Sequence, residues 1–457
     1  MNTGQMTQLR QHPALRDGLL SQGALALVIK VAGAGLSFFM FVAIARSLDE
    51  VGFGLLGTAF SLATVAAAVG SMGQRATATR LVAAYDEQGR HAERSGVMRY
   101  SYAALGCGTF VAGLLAIAWI SQRGDVPTNL LFLLGIVGLA LALGLADLQT
   151  RMFRPVSGVL LTLLPKDVIW RLAIFCLGVF TLVNSASLSP TAWIWIMAAS
   201  LLAVTFAQFS AFDTSHRDRS PIRGEAKYRV REWSAESLAP WAAVVVITAG
   251  PSLSVVLVGT TLSLEESGPF FATVRVAQLL TLFMHAIEVV LAPNISRDIV
   301  AGRYDNLQQS CRTTALLGSG FALCGWLVFV VAGDAVLNLF RDGFGVEHTA
   351  LVVIAFAYLL NTAAGPTAPL LLMSGRAKEL ARYQMITWSI GLAALIPAIR
   401  SFGTIGAAVC LAAADIGWNL AAWRSIRKTM GIEPTILSVI STPAATSAES
   451  EMVGADD

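Results

Sequence analysis

From Leu19 to Arg46 the chain reads LLSQGALALVIKVAGAGLSFFMFVAIAR, with one charged side chain, Lys30, before the closing Arg46. A helix needs about 20 apolar residues to cross a bilayer, so this run folds as a membrane span. The lysine near its middle is the constraint. A charge at the bilayer centre costs about 2.5–3.5 kcal/mol on insertion scales. A paired carboxylate, an anionic partner or a water-filled cavity must offset that cost. On a helical wheel Lys30 shares a face with Gly23, Ala26, Ala34 and Ser37. This small, partly polar stripe reads as a cavity wall, or as a tight helix seam in which the lysine has a partner. Ala43-Ile44-Ala45 imitates a signal-peptide cleavage site. The apolar stretch before it is about twice the 7–15 residues of a signal h-region, so the segment reads as an uncleaved span.

The rest of the chain repeats this character. Of 457 residues, 55% are hydrophobic and only 13% charged, against about 25% charged in soluble domains. Apolar runs predict twelve spans, at about 19–46, 52–73, 100–121, 129–149, 156–183, 191–212, 237–260, 268–292, 313–332, 349–374, 383–399 and 404–423. The expected fold is an all-α polytopic membrane protein with two six-helix lobes. Its domains are an arm (1–18), an N-lobe (19–212), a basic linker (213–236), a C-lobe (237–423) and a polar tail (424–457). With the N-terminus inside, 24 of the 32 Lys and Arg residues fall in cytoplasmic segments and four at external ends. That bias predicts both termini in the cytoplasm.

The halves echo each other. Leu48-Asp49-Glu50-Val51-Gly52 enters span 2, and Leu264-Glu265-Glu266-Ser267-Gly268 enters span 8. Leu81 to Asp86 matches Ile299 to Asp305 with one insertion. A repeat of the same topology in both halves implies a pseudo-two-fold along the membrane normal, with substrate between the lobes near mid-bilayer.

Four cations lie within spans: Lys30, Lys166, Arg171 and Arg275. Asp167 and Arg171 sit at i, i+4 and can neutralise each other, which leaves Lys166 unmatched unless Asp147 reaches it. Arg275 has no carboxylate at i±3 or i±4 and is the second candidate anion ligand; Gln278, His285 and Glu288 follow on the same side of span 8. Its alternative is snorkelling to the interface. Asp415 and Asn419, also i, i+4, read as an interhelical hydrogen-bond patch. Gly250-Pro251 and Gly365-Pro366 read as kinks. Gly52-Phe53-Gly54-Leu55-Leu56-Gly57 fits G-x-G-x-x-G, but it opens a membrane helix rather than following a strand, so close helix contact is the better reading. No histidine has a Ser or Cys partner at recognisable spacing, the five cysteines show no CxxC, and no P-loop occurs. Neither catalysis, a cofactor, a metal nor ATP hydrolysis is expected, and there is no pointer to nucleic acid.

A lysine in an apolar first span, then Ala45-Arg46-Ser47-Leu48, Gly52-Phe53-Gly54, Gly73 and Arg75, resembles the opening of the Wzx-type polysaccharide and O-antigen flippases. These belong to the multidrug/oligosaccharidyl-lipid/polysaccharide exporter superfamily. The resemblance implies a central cavity lined by spans 1, 2, 7 and 8, with cations meeting a lipid pyrophosphate. Lys30, Arg46 and Arg275 fall on those elements, with Ser37, Lys166, Gln278 and Asp415 as further polar positions. Span 7 departs from the pattern by supplying no cation. The implied activity is transfer of a polyprenyl-pyrophosphate-linked oligosaccharide to the outer leaflet of a bacterial cytoplasmic membrane. The implied partners are that lipid, membrane lipids, and the polysaccharide polymerase and chain-length machinery. A drug/cation antiporter and a peptidoglycan-precursor flippase are the alternatives. An integral membrane glycan polymerase or ligase would need a larger external loop than this chain offers.

Overall fold

A computed structural model describes residues 13–122, 129–281, 295, 297–299 and 301–439. Among these, the chain is helical throughout: α1 Pro13–Ser47, α2 Glu50–Gly70, α3 Gln74–Glu87, α4 His91–Ile120 and α5 Leu130–Phe153. Helix α6 is built from Val159–Leu164, a π-helical turn Pro165–Trp170, and Arg171–Val183. Then come α7 Pro190–Ser215, α8 Val230–Thr261, α9 Leu264–Ala277 with a 3₁₀ turn Gln278–Leu280, and α10 Tyr304–Asn338. Last are α11 His348–Ala363, α12 Thr367–Met373 and α13 Ala377–Met430.

Nine of the described helices are long and apolar enough to cross a membrane. Helix α13 holds two spans, because Gly403 (φ 61°, ψ −144°) reverses the chain inside it. Helix α6 is divided by its π turn, and the end of α9 leads into residues outside the described set. With α6 and the second half of α13, eleven membrane segments lie among the described residues and α9 begins a further one, in keeping with the two six-helix lobes expected from the apolar runs. His285 and Glu288 lie outside the described residues.

The lobe repeat is real, but its register differs from the sequence match. The side chain of Asp49 accepts a hydrogen bond from Gly52 N at the start of α2, and Ser263 accepts from Glu266 N at the start of α9. These N-caps are 214 residues apart. Gly54 and Gly268 have the same spacing, and they touch: a Cβ on Gly268 would sit 3.2 Å from Gly54 N. The second match shifts likewise. Gly89 (φ 67°) and Gly302 (φ 66°) end corresponding helices, and Arg90 N and Arg303 N each bond the carbonyl five residues back at 2.9 Å. The left-handed glycine cap therefore aligns Gly89-Arg90 with Gly302-Arg303, and the shared Tyr-Asp pair is out of register.

Glycines set the lobe contact. A Cβ on Gly54 would overlap the Leu264 carbonyl, and one on Gly57 would sit 2.9 Å from the Phe271 ring. Thr58 and Ser267 hydroxyls bond at 2.8 Å across the same seam. The small residues thus let two backbones meet, as the reading of the G-x-G-x-x-G stretch required. Of the two expected kinks, Gly365 (φ 75°) separates α11 from α12. Helix α8 runs unbroken through Pro251, and Gly250 instead leaves room for the Trp388 ring.

The basic segment after α7 is docked rather than loose. Arg99 Nε donates to the Pro221 carbonyl at 2.6 Å, Arg94 Nη2 to the Asp218 carbonyl at 2.6 Å, and Lys227 N to the Ala92 carbonyl at 3.0 Å. Trp233 is buried, with its indole N–H on the Tyr85 hydroxyl. The stretch after α10 is short and inward-turned: Phe340 and Phe344 are fully buried against Phe53.

The seam yields a test. Gly54→Val should lower stability in detergent by about 2–3 kcal/mol, the cost of overpacking where backbone cannot yield. Gly35→Ala, whose added Cβ would meet no atom within 4 Å, should leave the thermal unfolding midpoint unchanged or raised.

Candidate functional site

A cavity of about 620 Å³ lies between the lobes. Its N-lobe wall carries Lys30, Ala34 and Ser37 from α1 and Asp167 and Arg171 from α6. Its C-lobe wall carries Arg275 and Gln278 from the end of α9, Tyr358 and Asn361 from α11, and Gln384, Trp388, Asp415 and Trp418 from α13.

Lys30 is not isolated. Its Nζ donates to Asp167 Oδ2 at 2.6 Å, and Arg171 Nη2 lies 3.6 Å from Asp167 Oδ1. The lysine side chain is 54% exposed and the carboxylate 6%, so the pair presents its cationic end to the cavity. Two local features build it. Pro165, lacking an N–H, opens a π-helical turn, and adjacent residues on a helix lie about 100° apart. Consecutive residues Lys166 and Asp167 then point to different partners. Gly33 lets α1 approach: a Cβ there would sit 2.6 Å from the Asp167 carbonyl.

Lys166 is accordingly not a cavity residue. Its Nζ lies 3.3 Å from Asp147 Oδ1, and Asp147 also holds Arg75 at 3.0 Å and Arg151 at 3.4 Å. The carboxylate that sequence spacing assigned to Arg171 alone is shared, and the lysine that spacing left unmatched is neutralised by Asp147.

Arg46 also sits elsewhere. Its Nε donates to the Leu339 carbonyl at 2.7 Å, while Arg341 Nη1 donates to the Leu48 carbonyl. Each lobe thus sends one guanidinium to a carbonyl of the other. Beneath this latch Phe38, Phe53, Phe340 and Phe344 pack edge-on or tilted. The Arg46 end of the lobe interface is closed.

Arg275 reaches the cavity by a different logic. Its guanidinium carbon lies 4.9 Å from the Phe271 ring centroid, 5.1 Å from Phe60 and 5.5 Å from Phe41. Its Nη1 meets Gln278 Oε1 at 3.3 Å, its Nε has no hydrogen-bond partner, and no carboxylate pairs with it among the described residues. Ring faces attract a cation without neutralising it. Arg275 is therefore a held but uncompensated charge. The three rings come from α1, α2 and α9, so the arginine reads both lobes at once.

Across the cavity, Asp415 Oδ2 accepts from Asn361 Nδ2 at 2.9 Å and Oδ1 from Trp418 Nε1 at 3.0 Å. Asn419 accepts from the Thr367 hydroxyl at 3.0 Å. These bonds tie α11 and α12 to α13, as the i, i+4 spacing suggested, and they add an aromatic wall that spacing of charges alone did not reveal. Trp418 stands three residues from Asp415 on one helix face, which was the available signal.

The sequence matches the family described as polysaccharide biosynthesis protein over residues 19–299. The chain belongs to that family. The match begins at Leu19, the residue that opens the lysine-bearing span, and the membership bears out the flippase-type resemblance and the reading as a multi-pass membrane protein. By sequence, no curated protein matches the chain. Solved structures match in fold. One is the inward-facing conformation of a multidrug resistance MATE family transporter of the MOP superfamily, with TM-score 0.66, 10% identity, and coverage of 90% of this chain and 98% of that one. Another is the MATE multidrug transporter DinF-BH, with TM-score 0.64, 15% identity, and coverage of 92% and 96%. A third is a MOP superfamily transporter from Pyrococcus furiosus, described as having reversed binding-pocket polarity, with TM-score 0.58, 12% identity, and coverage of 90% and 95%. At these identities the likeness is one of fold.

Within this family member, Lys30, Ser37, Arg275, Gln278 and Asp415 line the cavity, and Arg46 and Lys166 do not. Asp167→Asn should destabilise by about 2–4 kcal/mol, because it leaves two cations facing a buried amide; Lys30→Met should cost at most about 1 kcal/mol, because the lysine end is wet. Unfolding titrations of both single variants and the double variant read the coupling directly. The latch is tested by spin labels on Glu50 and Val346. The double variant Arg46→Ala, Arg341→Ala should broaden their distance distribution to longer values, whereas an unchanged distribution would mean that the aromatic seal alone closes this end.

Proposed function

We propose that this protein is a transporter that carries an anionic, lipid-linked oligosaccharide across the bacterial cytoplasmic membrane by alternating access. The observation that carries this reading is Arg275, a cavity arginine held by three phenylalanine rings and by no carboxylate among the described residues. Lys30 and Arg171 share the single Asp167, so the cavity lining holds three cations against Asp167 and Asp415. An excess of positive charge in a membrane cavity suits a phosphate or pyrophosphate head.

The physical problem fits the geometry. A polyprenyl tail stays in lipid, whereas an unpaired anion taken into hydrocarbon costs many kcal/mol. A wet cavity with held cations lowers that cost. With the N-terminus in the cytoplasm, as the Lys and Arg asymmetry supports, the latched Arg46 end faces outward and the cavity is shut on that side. A head with about two negative charges moving outward gains about 2.3 kcal/mol per charge per 100 mV of inside-negative potential, enough to bias export without ATP.

A second reading has its own observation. Asp415, Trp388, Trp418 and Tyr358 form a carboxylate and aromatic wall, which also suits an organic cation, as in a drug/cation antiporter. Transport separates the two. In proteoliposomes, a head-labelled polyprenyl-pyrophosphate oligosaccharide should cross in the presence of the wild type, at least tenfold more slowly with Arg275→Gln, and faster when the potential favours anion exit. Exchange of a lipophilic cation with no lipid transfer would decide for the antiporter.

A further inference from the structure

We infer that the α11 and α13 wall of the cavity is a sugar-binding subsite, in which Trp388 and Trp418 offer ring faces and Asn361, Gln384 and Asp415 offer planar hydrogen-bonding edges. The inference rests on the flippase reading and assigns the two halves of the head to two walls: phosphate to Arg275 and Lys30, sugar to α11 and α13.

The chemistry of this wall is unlike that of the cationic one. It carries no Lys or Arg among the described residues that line it, and its one charge is the carboxylate of Asp415, which repels phosphate. A sugar ring has an apolar C–H face and a rim of hydroxyls. Indole faces match the first, and amide or carboxylate edges match the second. Unused bonding capacity is present. Each Asp415 oxygen accepts one bond within the wall, and a carboxylate has about four lone-pair positions. Asn361 spends one N–H on Asp415. The Gln384 side chain makes no hydrogen bond among the described residues.

The wall is also pre-organised, which lowers the ordering cost of binding. The Thr367 to Asn419 bond, the Asn419 bond to the Asp415 carbonyl at 3.0 Å, and the seat that Gly250 leaves for Trp388 fix the groups before any ligand arrives. Both tryptophans are largely buried yet line the cavity, so they present fixed surfaces rather than mobile ones. An organic cation would use the same rings, but it would share the cavity with the uncompensated charge of Arg275.

The test measures binding to the full chain in nanodiscs with two probes, polyprenyl pyrophosphate and the same lipid carrying one N-acetylhexosamine. The wild type should bind the sugar-bearing probe at least tenfold more tightly. Gln384→Ala, Asn361→Ala and Trp388→Phe should each remove several-fold of that preference while leaving the affinity for the bare lipid within about twofold. Arg275→Gln should weaken both probes alike. Gln384→Ala removes no bond within the described fold, and the thermal midpoint checks that the other variants are folded. Equal binding of the two probes by the wild type, or wall variants that weaken both equally, would overturn the subsite and leave the flippase reading standing. Failure of both probes, with Asp415-dependent binding of tetraphenylphosphonium, would overturn both.

Discussion

Asp167 is the group on which the N-lobe half of the cavity depends. It is 6% exposed and carries Lys30 at 2.6 Å and Arg171 at 3.6 Å. Without it, two cations would stand in a membrane segment with nothing to hold them, at a cost of several kcal/mol. The surrounding structure serves that one carboxylate. Asp167 lies in the π turn that Pro165 opens, and Gly33 lets α1 come close enough for the lysine to reach. A second carboxylate, Asp147, does the same for Lys166, Arg75 and Arg151. The N-lobe therefore settles its intramembrane charges in two clusters, of which only one opens on the cavity.

The seam between lobes obeys a different constraint. A transporter interface must be specific when closed and separable when open. Gly54 against Gly268 and Gly57 against Phe271 give contact through shape, with few polar bonds to break. The Thr58 to Ser267 bond and the two arginine to carbonyl bonds add register at a modest cost, since a net hydrogen bond is worth about 0.5–1.5 kcal/mol, more to a charged donor. Gly54 and Gly268 lie 214 residues apart and face each other, which is what a two-fold axis through the seam requires.

Much of the fold was legible because hydrophobic runs and positional charge report it directly. Twelve apolar runs, the basic segment after α7 and the paired entry turns are local facts. The site was legible in part. Lys30 and Arg275 announce themselves as charges in apolar helices, and Asp415 and Asn419 as an i, i+4 pair. What stayed hidden was non-local. The partner of Lys30 is 137 residues away, and no spacing within α6 says which neighbouring helix Asp167 and Lys166 each face. Arg46, at the end of a span, looks like a cavity mouth until Leu339 is seen beside it. The rings under Arg275 come from three helices, and no spacing within one helix foretells that. The register of the repeat follows the N-caps and glycine caps that fix the turns, whereas the look-alike strings Leu48–Gly52 and Leu264–Gly268 sit two residues out of step with it.

If the cavity carries an anionic head, as proposed, the different states of its two key cations would let it both bind and release that anion. Arg275 has no carboxylate to leave among the described residues, so a phosphate that reaches it forms a new charge-assisted bond at little internal cost. Lys30 must loosen its bond to Asp167 or share it. The lysine end of that bond is 54% exposed, so water or a ligand can take its place there while Arg171 stays beside Asp167. On the flippase reading, affinity would come mainly from Arg275, which touches rings of both lobes. On the same reading, Lys30 would supply a contact that can be made and returned to Asp167. A cavity of three free cations would hold its anion too well, and one with every cation paired would not draw it from water. The mixture of one uncompensated and two shared charges lies between those limits, where turnover of an anionic head would require it to be.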